Sequence, residues 1–339
     1  MKNQAVLSSL FNFKSGYQVI LDQLLSDDFK DVFTYKRAYS TVPKKYEHHF
    51  DNLPEFPHGA TELFLTPAAN ELSASNPLCH IPDNKNRIIF TMWESSRIYD
   101  IFIDILNKQR SVIVPNNWNK ENFIRQGVKV DIDVLPLFVD NSFCYKPPFK
   151  KNTFDFGCSN NDPRKRLKDV IHCFQKAFPS QKDVRLNLKL SERDSPIDSY
   201  MDNRISIIKK DLNDESLRQW YCGNDVYVSC VAAEGWGLMQ HESMACGRPV
   251  IAARYAGLKE LMTSQNSFPV DYLEVPSEGF WKSPCGKWSK YDENHMIKTM
   301  RYCYKNQKEV KNRGLLASKD ACKFSKAFFK SQLLSILKK

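Results

Sequence analysis

Two glutamates with seven residues between them bracket the densest chemistry in the sequence, Glu234-Gly-Trp-Gly-Leu-Met-Gln-His-Glu242. Gly235 and Gly237 let backbone N–H groups come close to a ligand, and a helix expected to start just after them offers partial positive charge suited to phosphate. Gly247 stands where a helix C-cap belongs, and Pro249 keeps that helix from continuing. Carboxylates beside an anion cradle make sense when they hold hydroxyls, as an acidic residue holds the ribose in dinucleotide folds. Hydroxyl acceptors around a phosphate cradle point to a nucleotide sugar; the plain alternative is a solvated carboxylate pair on a helix face. A second cluster, Arg164-Lys165-Arg166, lies just before an expected helix from Leu167 to Phe178. Three cations at a helix start oppose its dipole, which favours a bound anion over a merely solvated role.

These residues need a scaffold of alternating strands and helices. Ala5 to Leu7, the loop Phe11-Asn-Phe-Lys-Ser-Gly16 and the apolar-periodic Tyr17 to Leu25 read as strand, loop and helix. Buried strands are expected at Arg87 to Met92 and Gln109 to Val114, then a helix from Asn119 to Gln126 capped by Gly127. The aperiodic stretch 141–153, with two prolines and several lysines, reads as a linker. The alternation then restarts: strands at 154–157, 184–190, 205–209 and 225–230, with helices at 167–178 and 214–221. The expected fold class is α/β, two Rossmann-like doubly wound domains facing a central cleft. Their bounds are 1–145 and 151–318, followed by a basic helix over 319–339.

Glu234-Gly-Trp-Gly-Leu, Glu242 and Met244-Ala-Cys-Gly-Arg-Pro-Val-Ile together resemble the E-x7-E signature of GT-B fold retaining glycosyltransferases, family 4 in particular. The likeness extends to Asp225 and Ser229, to Gly257-Leu-Lys-Glu260 and to Gly286-Lys-Trp288, and covers the second half of the chain better than the first. It implies transfer of a sugar from a nucleoside-diphosphate sugar to a hydroxyl, with anomeric configuration retained and no metal or other cofactor. It also implies the roles. Glu234 contacts the donor sugar, Gly235, Trp236, Gly237 and Leu238 offer amides to sugar and phosphate, Glu242 holds the ribose, and Lys165 with Arg164 grips the diphosphate. In the first domain Gly16 matches the glycine loop that meets the donor phosphates. Trp93, Glu94 and Ser95 lie where acceptor-side residues gather, although this chain lacks the histidine many relatives place there. The last helix is implied to cross back onto the first domain.

Other signals take plainer readings. Asp131 and Asp133 formally make a D-x-D pair, but alternation puts both on one solvated strand face. His241 reads as a packing residue, and Trp93 and Trp236 could stack on a sugar or base or simply fill a core. The chain has 339 residues, 42% hydrophobic and 26% charged, which excludes disorder as its main state. Its ten cysteines form no CxxC pair, so neither a zinc knuckle nor a disulfide framework is expected. No apolar run reaches the roughly 18 residues of a membrane span and no signal segment opens the chain, so a cytoplasmic protein is expected.

The net charge of +10 is uneven, since residues 1–150 are balanced whereas residues 301–339 carry 11 basic and 2 acidic side chains. Lys319, Lys323, Lys326 and Lys330, with Phe324, Phe328, Leu333 and Leu337, predict a basic amphipathic terminal helix. Such a tail suits an anionic membrane surface or nucleic acid, or is simply solvated. The acceptor is expected to be a glycan or lipid-linked sugar, with DNA bearing hydroxylated bases as the alternative. A catalytically inactive nucleotide-sugar-binding protein is the reading from another class.

Overall fold

The computed structural model describes residues 5–9, 16–38, 44, 59–67, 83–159, 162–192, 194, 202–278 and 285–339. The loop residues 11–15, as well as Asn160 and Asn161, lie outside these. The chain forms two compact units: Met1–Leu137 with Pro276–Lys287 and Ala327–Lys339, and Phe138–Val275 with Trp288–Lys326.

Unit 1 is built on a six-stranded sheet of β1 (Ala5–Ser9), β2 (Phe33–Ala38), β3 (Thr61–Leu65), β4 (Asn84–Phe90), β5 (Gln109–Val114) and β6 (Asp131–Val134). The strands lie in the order β2-β1-β3-β4-β5-β6 and every pairing is parallel. Helices α1 (Gly16–Leu25), α2 (Asp100–Asn107) and α3 (Asn117–Arg125) connect strands of this unit. Asn116 caps α3 by accepting from the Asn119 amide, which starts that helix two residues before the expected Asn119. Glu62, buried in β3, accepts from Ser8 Oγ (2.5 Å), Asn84 Nδ2 (2.9 Å) and Arg87 Nε (2.8 Å). A buried carboxylate needs such partners to be tolerated.

Unit 2 holds β7 (Phe154–Ser159), β8 (Val184–Leu190), β9 (Ile205–Lys209), β10 (Val226–Val228), β11 (Val250–Ala253) and β12 (Phe268–Val270). Their order is β12-β11-β10-β7-β8-β9. From β7 the chain builds outward to β8 and β9, then returns to the other side of β7 with β10, the doubly wound order of a Rossmann sheet. Helix α4 (Leu167–Ala177) buries Leu167, Val170, Ile171, Phe174 and Ala177 at helical spacing, and β8 buries every second residue. Phe156, Phe174 and Phe178 meet with ring centroids 5.5 to 6.3 Å apart, each contact adding to the burial of the rings themselves. Helices α5 (Asp214–Gly223), α6 (Leu238–Ala245), α7 (Leu258–Leu261), α8 (Glu293–Lys305) and α9 (Gln307–Ala321) complete the unit, and β13 (Tyr272–Pro276) pairs with β14 (Lys287–Tyr291).

Two expectations about organisation change. The stretch 141–153, expected as a linker, counts with unit 2. The buried Arg248 guanidinium donates to the Lys146 carbonyl (2.9 Å), which ties that stretch to the C-terminal end of α6. The single terminal helix expected over 319–339 is two helices, because α9 ends at Ala321 and α10 runs from Lys326 to Lys338. Phe324 falls in the break, ring to ring with Trp236 and His241. In α10, Phe329, Leu333, Ile336 and Leu337 are buried, and the Phe329 ring meets those of Phe29 and Phe90 at 6.0 and 6.3 Å. Of the four residues expected to form the apolar stripe, Leu333 and Leu337 are core, Phe324 is partly buried and Phe328 is exposed.

The cations of that region are also engaged. Lys326 pairs with Asp140, Lys330 with Asp31 and Lys323 with Asp320. Lys339 pairs with Asp133, the second member of the D-x-D pair. Among the described residues no helix is long and apolar enough to cross a membrane.

Candidate functional site

In a doubly wound sheet the loops leaving neighbouring strands diverge where the strand order reverses, and a crevice opens at the carboxyl ends of those strands. In unit 2 that point lies between β7 and β10, paired through Val226 with Phe156 and Tyr227 with Gly157. The β7 loop carries Arg164 and Lys165; the β10 loop carries Glu234 and the two glycines.

The β7 loop is shaped by its own side chains. Asp162 Oδ1 accepts from the Arg164 amide (2.9 Å), and Pro163 occupies the first position of a single turn of 3-10 helix, Pro163–Lys165. Arg166 follows in the left-handed region at φ 51°, an uncommon conformation for a residue with a side chain. This reversal lets Lys165 face inward while α4 begins immediately after it. The Ala232 amide donates to the Arg164 carbonyl (2.9 Å), joining the β7 and β10 loops directly.

The β10 loop depends on close backbone approach. The Gly257 amide donates to the Glu234 carbonyl (2.8 Å), and a Cβ on Gly257 would lie 2.5 Å from the Gly235 carbonyl oxygen. Gly237 takes φ 99° at the start of α6, and no side chain caps the first turn of that helix. The first-turn amides of α6 therefore remain suited to an anion.

The structure brings Glu234, Lys165 and Arg164 together. Lys165 Nζ donates to Glu234 Oε1, while Arg164 Nη1 lies 3.2 Å from Glu234 Oε2 and also donates to the Ala233 carbonyl. Lys165 and Glu234 are buried, at 7% and 5% exposure. Burial opposes ionisation of Glu234, but Lys165 and Arg164 outweigh it and hold the carboxyl below its ordinary value. Burial lowers the Lys165 ammonium below its ordinary value; Glu234 opposes that shift and Arg164 adds to it.

Glu242 stands apart from this cluster in its bonding. It is partly buried on α6, and Tyr221 Oη of α5 donates to its Oε2 (2.8 Å). Burial pushes its carboxyl up to about 7; the Tyr221 bond and the charge of Lys189 work against the rise, and Asp214 adds to it. Tyr221 is not legible as a site residue in the sequence, since nothing in Trp220-Tyr-Cys222 marks it apart from other buried aromatics. The same holds for Asp162 as the shaper of the β7 loop.

Of the two readings of the Trp236 ring, stacking on a ligand or filling a core, the structure has the second. The ring is buried at 1% exposure, its Nε1 donates to His241 Nδ1 (3.2 Å), and it packs edge-on to Phe324, so only the backbone of Trp236 can serve a ligand. His241 is fully buried, bonded to the Ala321 carbonyl and pushed down to about 4 by burial, which makes it a neutral packing residue.

In unit 1, Gly16 is the first residue of α1, and the buried Tyr17 next to it accepts from the Met92 amide (2.9 Å). That bond sets the start of α1 beside the loop leaving β4, which carries Trp93, Glu94 and Ser95. The Trp93 ring is buried, its Nε1 donates to the Arg97 carbonyl, and its amide donates to Asn119 Oδ1 (2.8 Å). Ser95 is buried too, its hydroxyl donating to the Cys285 carbonyl. Of the three expected acceptor-side residues, Glu94 alone keeps a partly accessible side chain.

Residues 159–278 match the family model described as Glycosyl transferases group 1. Over 150 residues the chain is 25% identical to sulfoquinovosyl transferase SQD2 of Arabidopsis thaliana, a match spanning 41% of this chain and 29% of that protein. Among solved structures, Alr3699/HepE of Anabaena in complex with UDP and glucose has a TM-score of 0.68 at 14% identity, with 99% of each chain covered. Sucrose-phosphate synthase of Thermosynechococcus elongatus has a TM-score of 0.71 at 13% identity, covering 99% of this chain and 98% of that one. A point mutant of S. aureus TarM, in complex with Fondaparinux, alpha-GlcNAc-glycerol and UDP, has a TM-score of 0.63 at 14% identity, with 82% of this chain and 55% of that one covered. With two parallel α/β sheets of this order and these neighbours, the chain has the GT-B fold of two Rossmann-like domains, and its second domain carries the segment matched by Glycosyl transferases group 1.

Proposed function

We propose that the protein is a retaining, metal-independent glycosyltransferase that moves a sugar from a nucleoside-diphosphate sugar to a hydroxyl of a glycan or lipid-linked sugar. The observation carrying this reading is the cluster of Lys165, Arg164 and Glu234 at the strand-order reversal of the second sheet, beside the uncapped start of α6.

The demanding step in such a transfer is departure of the diphosphate. In this reading Lys165, Arg164 and the first-turn amides of α6 stabilise the charge that develops on it. By the same reading Glu234 meets the sugar and Glu242 accepts from the ribose hydroxyls. Acceptor-side roles rest on Glu94, with Gly16 contributing a backbone amide. HepE and TarM were solved with UDP, which supports a uridine nucleotide as the first donor to test. The ion pairs of the C-terminal lysines leave DNA with less support as acceptor than a neutral glycan.

The test is a thermal-shift panel of UDP-, GDP- and ADP-sugars, since a ligand of the native state raises the midpoint. Transfer and donor hydrolysis by wild type and Glu234→Ala then follow with the sugar nucleotide that binds. A stabilising sugar nucleotide turned over by wild type and not by the variant is expected. Equal turnover by both removes the assignment of Glu234, and binding without any turnover supports the inactive binding protein.

A further inference from the structure

The two cations assigned to the diphosphate are both already bonded to a carboxylate. Lys165 Nζ donates to one oxygen of Glu234 and Arg164 Nη1 lies 3.2 Å from the other. The side chains of all three are 12% exposed or less, so water screens them poorly. An ammonium has three donors and a guanidinium five, so a diphosphate can share both with Glu234. Its negative charge would then sit within a few ångströms of the carboxylate. Asp162 of the β7 loop also acts on Lys165, but it is Glu234 that bonds both cations, so ligand and carboxylate draw on the same pair.

Resting on the function proposed above, we propose that Glu234 competes with the donor diphosphate for Lys165 and Arg164, so that its carboxylate weakens the hold on the nucleoside diphosphate and promotes release of that product after transfer. Glu234 thus serves both ends of the cycle. It meets the sugar while the donor is bound, and it takes back the cations when the leaving group must go. The backbone supports this return, because the Glu234 carbonyl is fixed by the Gly257 amide and the Arg164 carbonyl by the Ala232 amide. The side chains can exchange partners while their main chains stay anchored. The counterintuitive consequence is that removing the charge of Glu234 tightens binding of the spent nucleotide while it abolishes transfer.

The test measures equilibrium binding and dissociation rates of UDP, GDP and ADP, and of their parent nucleosides, at pH 7. The proteins are wild type, Glu234→Gln and Lys165→Gln. Glu234→Gln is expected to bind the preferred nucleoside diphosphate at least about fivefold more tightly, through slower dissociation, as one repelling charge a few ångströms away is lifted. The nucleoside is expected to bind wild type and Glu234→Gln alike. Lys165→Gln is expected to bind the diphosphate at least about tenfold more weakly, through loss of a charge-assisted bond. Unchanged or weaker binding by Glu234→Gln, or an equal gain for the nucleoside, overturns the competition while the phosphate role of Lys165 stands. Wild-type affinity in Lys165→Gln, or no binding of any of the three to wild type, overturns the underlying assignment instead. Should Glu234→Gln lack a cooperative thermal transition, Glu234→Asp replaces it. Its carboxylate, one methylene shorter, reaches the cations less well, so a smaller gain in the same direction is expected and its absence overturns the proposal.

Discussion

Glu242→Gln should make the protein more stable above neutral pH and weaken its grip on the donor. The wild-type carboxyl is raised from the ordinary 4.5 of a glutamate to about 7, chiefly by burial. A carboxyl with a raised value binds its proton more tightly in the folded than in the unfolded chain. Its contribution is therefore fully present below pH 4.5, is lost between pH 4.5 and about 7, and stays lost above. At roughly 1.4 kcal/mol for each pH unit, that interval amounts to about 3 kcal/mol. Partial exposure of Glu242 lets water screen the charge, which trims this to about 2 kcal/mol. Glutamine keeps an oxygen to accept from Tyr221 and has no charge to bury.

Urea denaturation of wild type and Glu242→Gln from pH 5 to pH 9 measures the effect. The two proteins should be within about 0.5 kcal/mol of each other at pH 5, where the wild-type carboxyl is neutral. The variant should lead by about 2 kcal/mol at pH 8 to 9. Taking the difference between the proteins cancels every other titrating group. A difference that does not vary with pH, or a variant less stable than wild type at pH 8, refutes the reasoning. The same pair separates stability from function. An ionised carboxylate is the better acceptor for ribose hydroxyls, so wild-type affinity for the sugar nucleotide should rise through pH 7 and that of the variant should not.

Three further outcomes follow from single contacts. Tyr221→Phe removes the bond that restrains the rise of Glu242, so the midpoint of the same pH-dependent difference should move above about 7 in that background, read by the same urea titrations. Gly257→Ala drives a methyl against the Gly235 and Glu234 carbonyl oxygens, 2.5 and 2.7 Å from the added carbon. Because backbone must shift to make room, donor binding should fall at least about tenfold in calorimetry, the scale of losing one well-placed hydrogen bond to a charged group. Leu333→Ala empties a fully buried position on α10 and should cost about 2–5 kcal/mol in denaturant melts; binding to anionic vesicles should be the same as wild type, because that leucine faces protein.

Much of this architecture is local and therefore readable from the sequence. In β8 every second side chain is buried, and in α4 the buried side chains recur at helical spacing, so each element announces its own period. The strands of unit 1 are harder to read for a physical reason. β3 reads Thr-Glu-Leu-Phe-Leu, and its buried Glu62 breaks the apolar run, since the partners that make it tolerable, Ser8 and Arg87, lie 54 and 25 residues away. The break after α9 is illegible because neither glycine nor proline marks it. It follows from Phe324 turning toward Trp236 and His241, a tertiary contact that local pattern does not encode.

The candidate site divides along the same line. The glycines and the two glutamates of the β10 loop lie within nine consecutive residues, so their chemistry can be inferred together. Which cation meets which carboxylate cannot, because Lys165 and Glu234 are 69 positions apart. They become neighbours only through the return of the chain from β9 to β10 on the far side of β7. That return also fixes the electrostatics. Had β10 been added beside β9 at the sheet edge, the β7 cations would lack Glu234 and would face like charge in each other. The strand order therefore sets a carboxylate against the buried ammonium, and under the competition proposed above that same carboxylate contests an arriving diphosphate.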